Sequence, residues 1–279
     1  MNAMMFVLVS GLAAILAAVD VRADVPDNPN SLLGANSFIY KTVDDVTLRL
    51  HVFSGNTHQQ TPRPAIIFFF GGGFRQGSIE QFVPHSRILS NLGMVAVVAD
   101  YRVLLRHGTT PAEAIEDGRD AIAWLRSQSV ALNVDPTRIV AAGGSAGGFL
   151  AAATAHIGDG LDPKRGWSAP NVLALFNPAL GYPSSQWRRR EGFEKQSPYL
   201  NLNDSSIPTF IAHGQADTVV PYSHAEKYCE KLQNLDGYCE LHGYENAGHA
   251  FFNEGHHEGR YFKLTVAELI KFLAKFDYL

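Results

Sequence analysis

A serine set among glycines, in Gly143-Gly144-Ser145-Ala146-Gly147, is the residue best placed for nucleophilic chemistry. The apolar run Ile139–Ala142 precedes it and the alanine-rich run Phe149–His156 follows it. This order predicts a strand, a tight turn and a helix, with the serine hydroxyl at the apex, where the backbone is pushed toward positive φ. The alternative is the glycine-rich turn of a dinucleotide-binding fold, but the acidic residue that would hold the ribose is missing. The pattern therefore favours Ser145 as a nucleophile.

A serine hydroxyl needs an imidazole base, and the imidazole needs an acid to orient it. One known chain order is serine, then acid, then histidine. Asp217 follows a predicted strand in His213-Gly214-Gln215-Ala216-Asp217 and is the candidate acid, ahead of Asp204 and Glu245. His249 follows the last predicted strand, on a loop that a preceding glycine makes adaptable, and is the candidate base.

The pair His256-His257 lies close to His249 in the sequence, which raises the possibility of a metal site. The cluster lacks the regular helical spacing and the carboxylate partners of a zinc hydrolase. We therefore expect no metal ion and no organic cofactor.

Acyl transfer also needs N–H donors for the oxyanion that develops in the transition state. The backbone N–H of Ala146, directly after the serine, is one candidate. The triplet Gly71-Gly72-Gly73 follows an early apolar strand, and glycines let backbone amides turn toward a ligand. Gly72 and Gly73 are the further candidates, with the N–H of Phe74 as an alternative.

Aromatic side chains near these motifs are candidates for substrate binding. Phe74, Trp187 and Phe251, with the neighbouring Phe252, could line an acyl or sugar pocket or could equally belong to the core. The arginine run at 188–190 fits either a solvated loop or recognition of an acidic sugar.

Strand and helix patterns alternate along most of the chain. An N-terminal hairpin turns at Asp44-Asp45, and Thr110-Pro111-Ala112-Glu113 has the residues of a helical capping box. This order predicts an α/β fold with a mostly parallel, doubly wound sheet and functional loops at the carboxyl ends of its strands. The connection 179–206 has no clear periodicity, which favours a lid or a substrate-binding insert. The predicted strands are 37–43, 46–53, 65–70, 94–99, 139–142, 172–176, 209–212 and 238–244, and the main predicted helices are 79–92, 149–156, 222–235 and 261–276.

The chain has 279 residues, of which 46% are hydrophobic, and a formal net charge of −4. These values suit one domain over residues 24–279, and nothing in the charge suggests a nucleic-acid or anionic-membrane partner. The oligomeric state is left open.

Residues 1–23 contain an apolar run and end in Val21-Arg22-Ala23, which is typical of a secretory signal peptide, although an uncleaved anchor is the alternative. We expect a secreted or periplasmic protein. The two cysteines, Cys229 and Cys239, can form a disulfide in such a compartment or remain buried thiols.

The chain resembles the α/β-hydrolase esterases in the combination and order of five features. These are Phe70-Gly71-Gly72-Gly73-Phe74, Asp100-Tyr101-Arg102, the serine motif, Asp217 and His249. The chain is similar to secreted acetyl and feruloyl carbohydrate esterases and to hormone-sensitive-lipase-like carboxylesterases. The resemblance covers about residues 37–276 and implies the α/β-hydrolase fold. Two features depart from it: Phe70 replaces the usual histidine of the oxyanion loop, and the acid motif is closer to that of dienelactone hydrolases and prolyl oligopeptidases.

The resemblance implies a serine carboxylesterase that cleaves short-chain or aromatic acyl esters, of carbohydrates or other small molecules, through an acyl-enzyme. The alternatives are a serine peptidase of the prolyl-oligopeptidase type and a non-catalytic binding protein on the same fold.

Overall fold

An eight-stranded sheet forms the centre of the structure, a computed structural model that describes residues 25–55, 61–157, 168–183, 193–203 and 207–279. The strand order is β1-β2-β4-β3-β5-β6-β7-β8, and the six strands β3 to β8 run parallel to one another. The strands are β1 (Asn36–Val43), β2 (Val46–Phe53), β3 (Arg63–Phe69), β4 (Val95–Ala99), β5 (Val134–Gly144), β6 (Val172–Phe176), β7 (Thr209–Gly214) and β8 (Cys239–Tyr244).

The first two strands form the antiparallel hairpin predicted from the sequence, and β2 also pairs antiparallel with β4. Asp44 occupies the turn with a φ of 50°. Strands β3 and β4 are buried almost throughout, as their continuous apolar sequences predict for strands covered by helices on both faces. The predicted fold class, a mostly parallel α/β sheet with an N-terminal hairpin, is therefore confirmed.

Helices connect the parallel strands. Thr110 caps α3 (Pro111–Ser127) with its side chain and Glu113 bonds back to the Thr110 backbone, so the predicted capping box is present. The predicted helix over 79–92 is divided into a 3₁₀ turn, Ile79–Phe82, and α1 (Val83–Asn91), because Pro84 has no N–H to continue a helix from the preceding turn. The helices are α1 (Val83–Asn91), α2 (Leu104–His107), α3 (Pro111–Ser127), α4 (Ser129–Leu132), α5 (Ala146–His156), α6 (Phe193–Gln196), α7 (Tyr222–Gln233) and α8 (Arg260–Lys275).

Cys229 on α7 and Cys239 at the start of β8 form a disulfide, with their Cα atoms 5.3 Å apart. The bond joins a helix to the edge strand of the sheet. Among the described residues, no helix is both long enough and apolar enough to cross a membrane. The predicted signal peptide, residues 1–23, lies outside the described residues.

Candidate active site

The corner between β5 and α5 carries Ser145 with φ 52° and ψ −114°, a strained backbone for a residue with a side chain. A Cβ on Gly147 would lie 2.0 Å from the carbonyl oxygen of Phe69, so only glycine permits this approach of helix to sheet. The backbone N–H of Ser145 donates to Phe176 O at 2.9 Å, which fixes the corner to β6. The strand–turn–helix predicted around Ser145 is what the structure contains.

Three loops from different strands bring Ser145, Asp217 and His249 together. His249 Nε2 lies 2.9 Å from Ser145 Oγ, and His249 Nδ1 lies 2.7 Å from Asp217 Oδ2. A carboxylate can only accept, so Nδ1 carries the proton and donates it. Nε2 is then the acceptor for the serine hydroxyl, which is the arrangement of a general base.

Asp217 is held by four groups. Its Oδ1 accepts from the backbone N–H of Val219 at 2.8 Å and of Val220 at 2.9 Å. Its Oδ2 accepts from His249, and His213 Nε2, which donates to Val220 O at 2.9 Å, also lies 3.4 Å away. Burial by itself would raise the pKa of Asp217, but hydrogen bonds from His213, His249 and Val220 outweigh burial and hold the pKa well below its ordinary value. The carboxylate is therefore ionised at neutral pH.

The glycine loop after β3 passes directly beside the serine. A Cβ on Gly71 would lie 3.0 Å from Gly144 O and 3.4 Å from Ser145 Cβ. Within the described part of the chain, no hydrogen bond in the protein uses the backbone N–H of Gly72, Gly73 or Ala146. These three amides, the ones predicted as oxyanion donors, therefore have no hydrogen-bond acceptor among the described residues, and Gly72 and Gly73 line the pocket.

Phe70 stands at the head of this loop, where the resemblance would place histidine. Its ring is buried and stacks on Tyr101 with ring centres 4.1 Å apart, and the Tyr101 hydroxyl donates to Phe70 O at 2.6 Å. Arg106 lies over the Phe70 ring as well and donates from Nη1 to Gly77 O at 2.8 Å. Stacking and two bonds to backbone carbonyls thus hold both ends of the loop.

A pocket of about 740 Å³ opens over Ser145 and His249. Its wall combines the glycine loop with small apolar and polar side chains. The other side chains on the wall include Ser78, Glu80, Gln81, Pro84, Asn177, Val219, Phe252, Asn253 and Glu254. Among the described residues, no three His, Cys, Asp or Glu side chains form a group that could hold a metal ion.

Two of the predicted substrate-binding side chains belong instead to the core. Phe74 has a φ of 59° and packs on Tyr101 and Phe149, and Phe251 is fully buried against Tyr244. Neither lines the pocket, so these two assignments are corrected. Phe252 does reach the wall. Trp187 lies outside the described residues.

A family profile described as the alpha/beta hydrolase fold matches residues 66–207, slightly more than half of the chain. The chain belongs to the α/β-hydrolase fold family. Among solved structures, Thermogutta terrifontis esterase 2 is 37% identical with a TM-score of 0.83, over 88% of this α/β-hydrolase and 96% of that chain. A profile of the prolyl oligopeptidase family matches residues 171–275, the part that contains Asp217 and His249.

Curated relatives of this α/β-hydrolase include an esterase and a lipase. Esterase LipC of Mycobacterium tuberculosis is 29% identical over 75% of this chain and 58% of its own length. Lipase 2 of Moraxella sp. is 34% identical over 52% of this chain and 35% of its own length. The chain thus spans less than two thirds of these curated relatives.

Sequence reasoning missed three amide side chains beside the site of this α/β-hydrolase. Asn177, at the end of β6, accepts the backbone N–H of Ala250 at 3.0 Å and so fixes the residue next to His249. Gln81 and Asn253 bond to each other at 3.1 Å across the pocket wall. The position of Asn177 directly after a buried parallel strand was the one signal available in the sequence, since functional loops follow such strands.

Proposed function

We propose that this α/β-hydrolase is a serine carboxylesterase that works through an acyl-enzyme. The observation that carries the proposal is the continuous line from Ser145 Oγ through His249 to Asp217, with contacts of 2.9 and 2.7 Å. The Ser145 end of this line lies beside the glycine loop, and the N–H groups of Gly72, Gly73 and Ala146 have no acceptor among the described residues.

In the first half-reaction, His249 Nε2 takes the hydroxyl proton as Ser145 Oγ attacks the ester carbonyl. The resulting oxyanion is bound by the N–H groups of Ala146 and of Gly72 or Gly73. The protonated His249 then gives its proton to the leaving alcohol, and the acyl group stays on the serine. In the second half-reaction, His249 takes a proton from water as the resulting hydroxide adds to the acyl carbonyl. The tetrahedral intermediate then collapses: its bond to Ser145 Oγ breaks, His249 returns the proton to that oxygen, and the carboxylic acid is released.

Short acyl groups are the proposed substrates. Structures of Thermogutta terrifontis esterase 2 are described with propionate and with butyrate bound, and others as phosphonylated by cyclosarin or phosphorylated by paraoxon. An enzyme 37% identical over nearly the whole fold thus accommodates small acyl-sized groups and reacts with organophosphorus compounds. The pocket of about 740 Å³ leaves room for a larger alcohol part.

A carbohydrate as the alcohol part is supported by the hydrogen-bonding rim. Ser78, Glu80 and Glu254 offer donors and acceptors to sugar hydroxyls on one wall of the pocket. We further propose that residues 1–23 are removed on export and that 179–206 contributes a lid. An intact mass of the purified protein starting near Asp24 would support removal, and an intact mass that includes residues 1–23 would contradict it.

The decisive experiment is a panel of p-nitrophenyl esters from acetyl to octanoyl, with acetylated xylan and methyl ferulate, tested on wild type and Ser145→Ala. We expect the variant to lose on the order of 10⁶ in kcat, since the three residues act as a unit. Wild type should also incorporate one fluorophosphonate per chain, at Ser145. Equal ester hydrolysis by the variant, or no labelling of wild type, would contradict the proposal.

A serine peptidase is the second candidate, because the prolyl oligopeptidase profile covers the segment with the acid and the base. Both activities use the same triad, so labelling cannot separate them. Hydrolysis of a prolyl or alanyl anilide without ester hydrolysis would favour the peptidase.

A further inference from the structure

Gln81 connects two loops of the site that are far apart in the sequence. It lies in the 3₁₀ turn that follows the glycine loop, and both ends of its side-chain amide are used. Its Oε1 accepts the backbone N–H of Gly71 at 2.7 Å, and its Nε2 donates to Asn253 Oδ1 at 3.1 Å. Asn253 in turn donates its backbone N–H to Ala250 O at 3.2 Å, next to His249.

The amide can have only one orientation. The N–H of Gly71 can only donate, so the oxygen of Gln81 must face it and the nitrogen must face Asn253. A rotated amide would set two donors against each other at Gly71. The contact therefore joins the glycine loop to the His249 loop with a defined geometry.

The glycine loop needs such an external contact. Gly72 and Gly73 have φ angles of 132° and 66°, and glycine passes between many conformations at little energetic expense. An oxyanion site is effective only when its N–H groups are already oriented before the reaction. The bond from Gly71 to Gln81 fixes the first peptide of the loop, and Gly72 O accepts from Arg75 and Gln76 at 3.1 and 3.3 Å.

We propose that Gln81 is a positioning residue that orients the oxyanion donors Gly72 and Gly73 relative to His249, through Gly71 on one side and Asn253 on the other. The assignment rests on the proposed esterase function. Gln81 acts on the geometry of the donors and not on the reacting atoms, so it should affect the transition state more than the bound ester.

The experiment compares Gln81→Met, Asn253→Ala and the double variant with wild type. Methionine keeps the length of the side chain but removes both hydrogen bonds. We expect kcat for p-nitrophenyl butyrate to fall about 10- to 100-fold in Gln81→Met, with KM within about threefold, because misoriented donors weaken oxyanion binding. Asn253→Ala should lose about 3- to 10-fold in kcat, and the double variant should match Gln81→Met within about twofold, because both residues act through one contact.

A trifluoromethyl ketone separates positioning from a general loss of structure, because it forms a tetrahedral oxyanion on the serine. Its affinity should fall by the same factor as kcat, while affinity for butyrate changes little. Gln233→Met, an exposed glutamine at the end of α7, is the matched control and should keep wild-type values.

Two results would overturn the assignment: a kcat for folded Gln81→Met within about threefold of wild type, or a fall in kcat with unchanged trifluoromethyl ketone affinity. If circular dichroism shows that Gln81→Met does not fold, Asn253→Ala decides alone, by the same ketone measurement. Fluorophosphonate labelling of wild type separates the two proposals. Absence of labelling rejects the esterase function, whereas a labelled, active wild type with unaffected variants rejects only the role of Gln81.

Discussion

Replacing Asp217 by asparagine tests the proposed roles of all three residues with a change of one atom. The two side chains have the same shape, so packing is preserved. In the structure, Oδ1 accepts from the N–H groups of Val219 and Val220, and Oδ2 accepts from His249. Asparagine can accept with only one of its two ends.

The two backbone N–H groups decide which end that is. They can only donate, so the oxygen of the introduced amide must face them and its NH₂ must face His249 Nδ1. The imidazole then accepts at Nδ1 and carries its proton on Nε2, where it can no longer take the proton of Ser145. Turning the amide around would forfeit two hydrogen bonds, or about 2 kcal/mol, so about 30 of every 31 molecules keep the inactive tautomer.

The expected loss is larger than that ratio, because the few turned molecules also lack the charge that stabilises the imidazolium. In other serine triads the same substitution lowers kcat about 10⁴-fold, which corresponds to about 5.5 kcal/mol of activation free energy. We expect a similar loss for Asp217→Asn with p-nitrophenyl butyrate at about pH 7.5, with KM nearly unchanged. Asp236→Asn, at an exposed turn with a φ of 61°, is the control and should keep full activity. A kcat for folded Asp217→Asn within about 100-fold of wild type would refute the assignment of Asp217 as the acid.

Three smaller predictions follow from other contacts. Asn177→Leu should lower kcat about 10-fold, because the N–H of Ala250 loses its acceptor. Asn177→Asp keeps the accepting oxygen and should lose less kcat. Equal losses of kcat for the two variants in steady-state assays would contradict this role of Asn177. The double variant Cys229→Ser/Cys239→Ser should lose about 2–3 kcal/mol of stability, or roughly 5–10 °C in Tm by calorimetry. A Tm within about 2 °C of wild type would show that the disulfide does not stabilise the fold by this amount. Burial raises the pKa of Asp100 to about 6. Between about pH 4 and pH 6 the folded chain therefore holds a proton on Asp100 that the unfolded chain has released. For this reason the contribution of Asp100 to the free energy of unfolding falls as pH rises from about 4 to 6. The Tm of Asp100→Asn minus that of wild type should therefore increase from about pH 4 to pH 7, and a constant difference would exclude this titration.

The local features of the fold could be read from the sequence because their causes are local. The Asp44-Asp45 turn, the capping box at Thr110 and the glycines around Ser145 each act within a few residues of their own position. The alternation of strands and helices then limits the sheet to a parallel topology, and loops at the carboxyl ends of its strands must meet. For these reasons the candidate nucleophile, acid and base could be named before their distances were known.

Side-chain direction in loops could not be read in the same way. Phe74 follows three glycines, in a loop expected beside the substrate, but its positive φ turns the ring into the core against Phe149. Phe251 stands two residues from His249, yet its ring packs on Tyr244 while the next ring, Phe252, reaches the pocket. The local backbone conformation decides which of two adjacent aromatics reaches the pocket wall, and no residue type encodes it.

The glycine loop shows how a departure from a family pattern can be compensated by residues remote in the sequence. With Phe70 in place of histidine, a side-chain donor at the head of the loop is gone. The chain supplies donors from elsewhere: the Tyr101 hydroxyl bonds to Phe70 O, and Arg106 bonds to Gly77 O. Tyr101 is in turn anchored by its neighbour Arg102, whose guanidinium forms two bonds, of 2.8 and 2.7 Å, to Asp117 on α3. The loop is therefore tied to a buried ion pair and to the helix layer. Together with the bond from Gly71 to Gln81, these ties support the preorganisation that the proposed oxyanion site requires without a histidine.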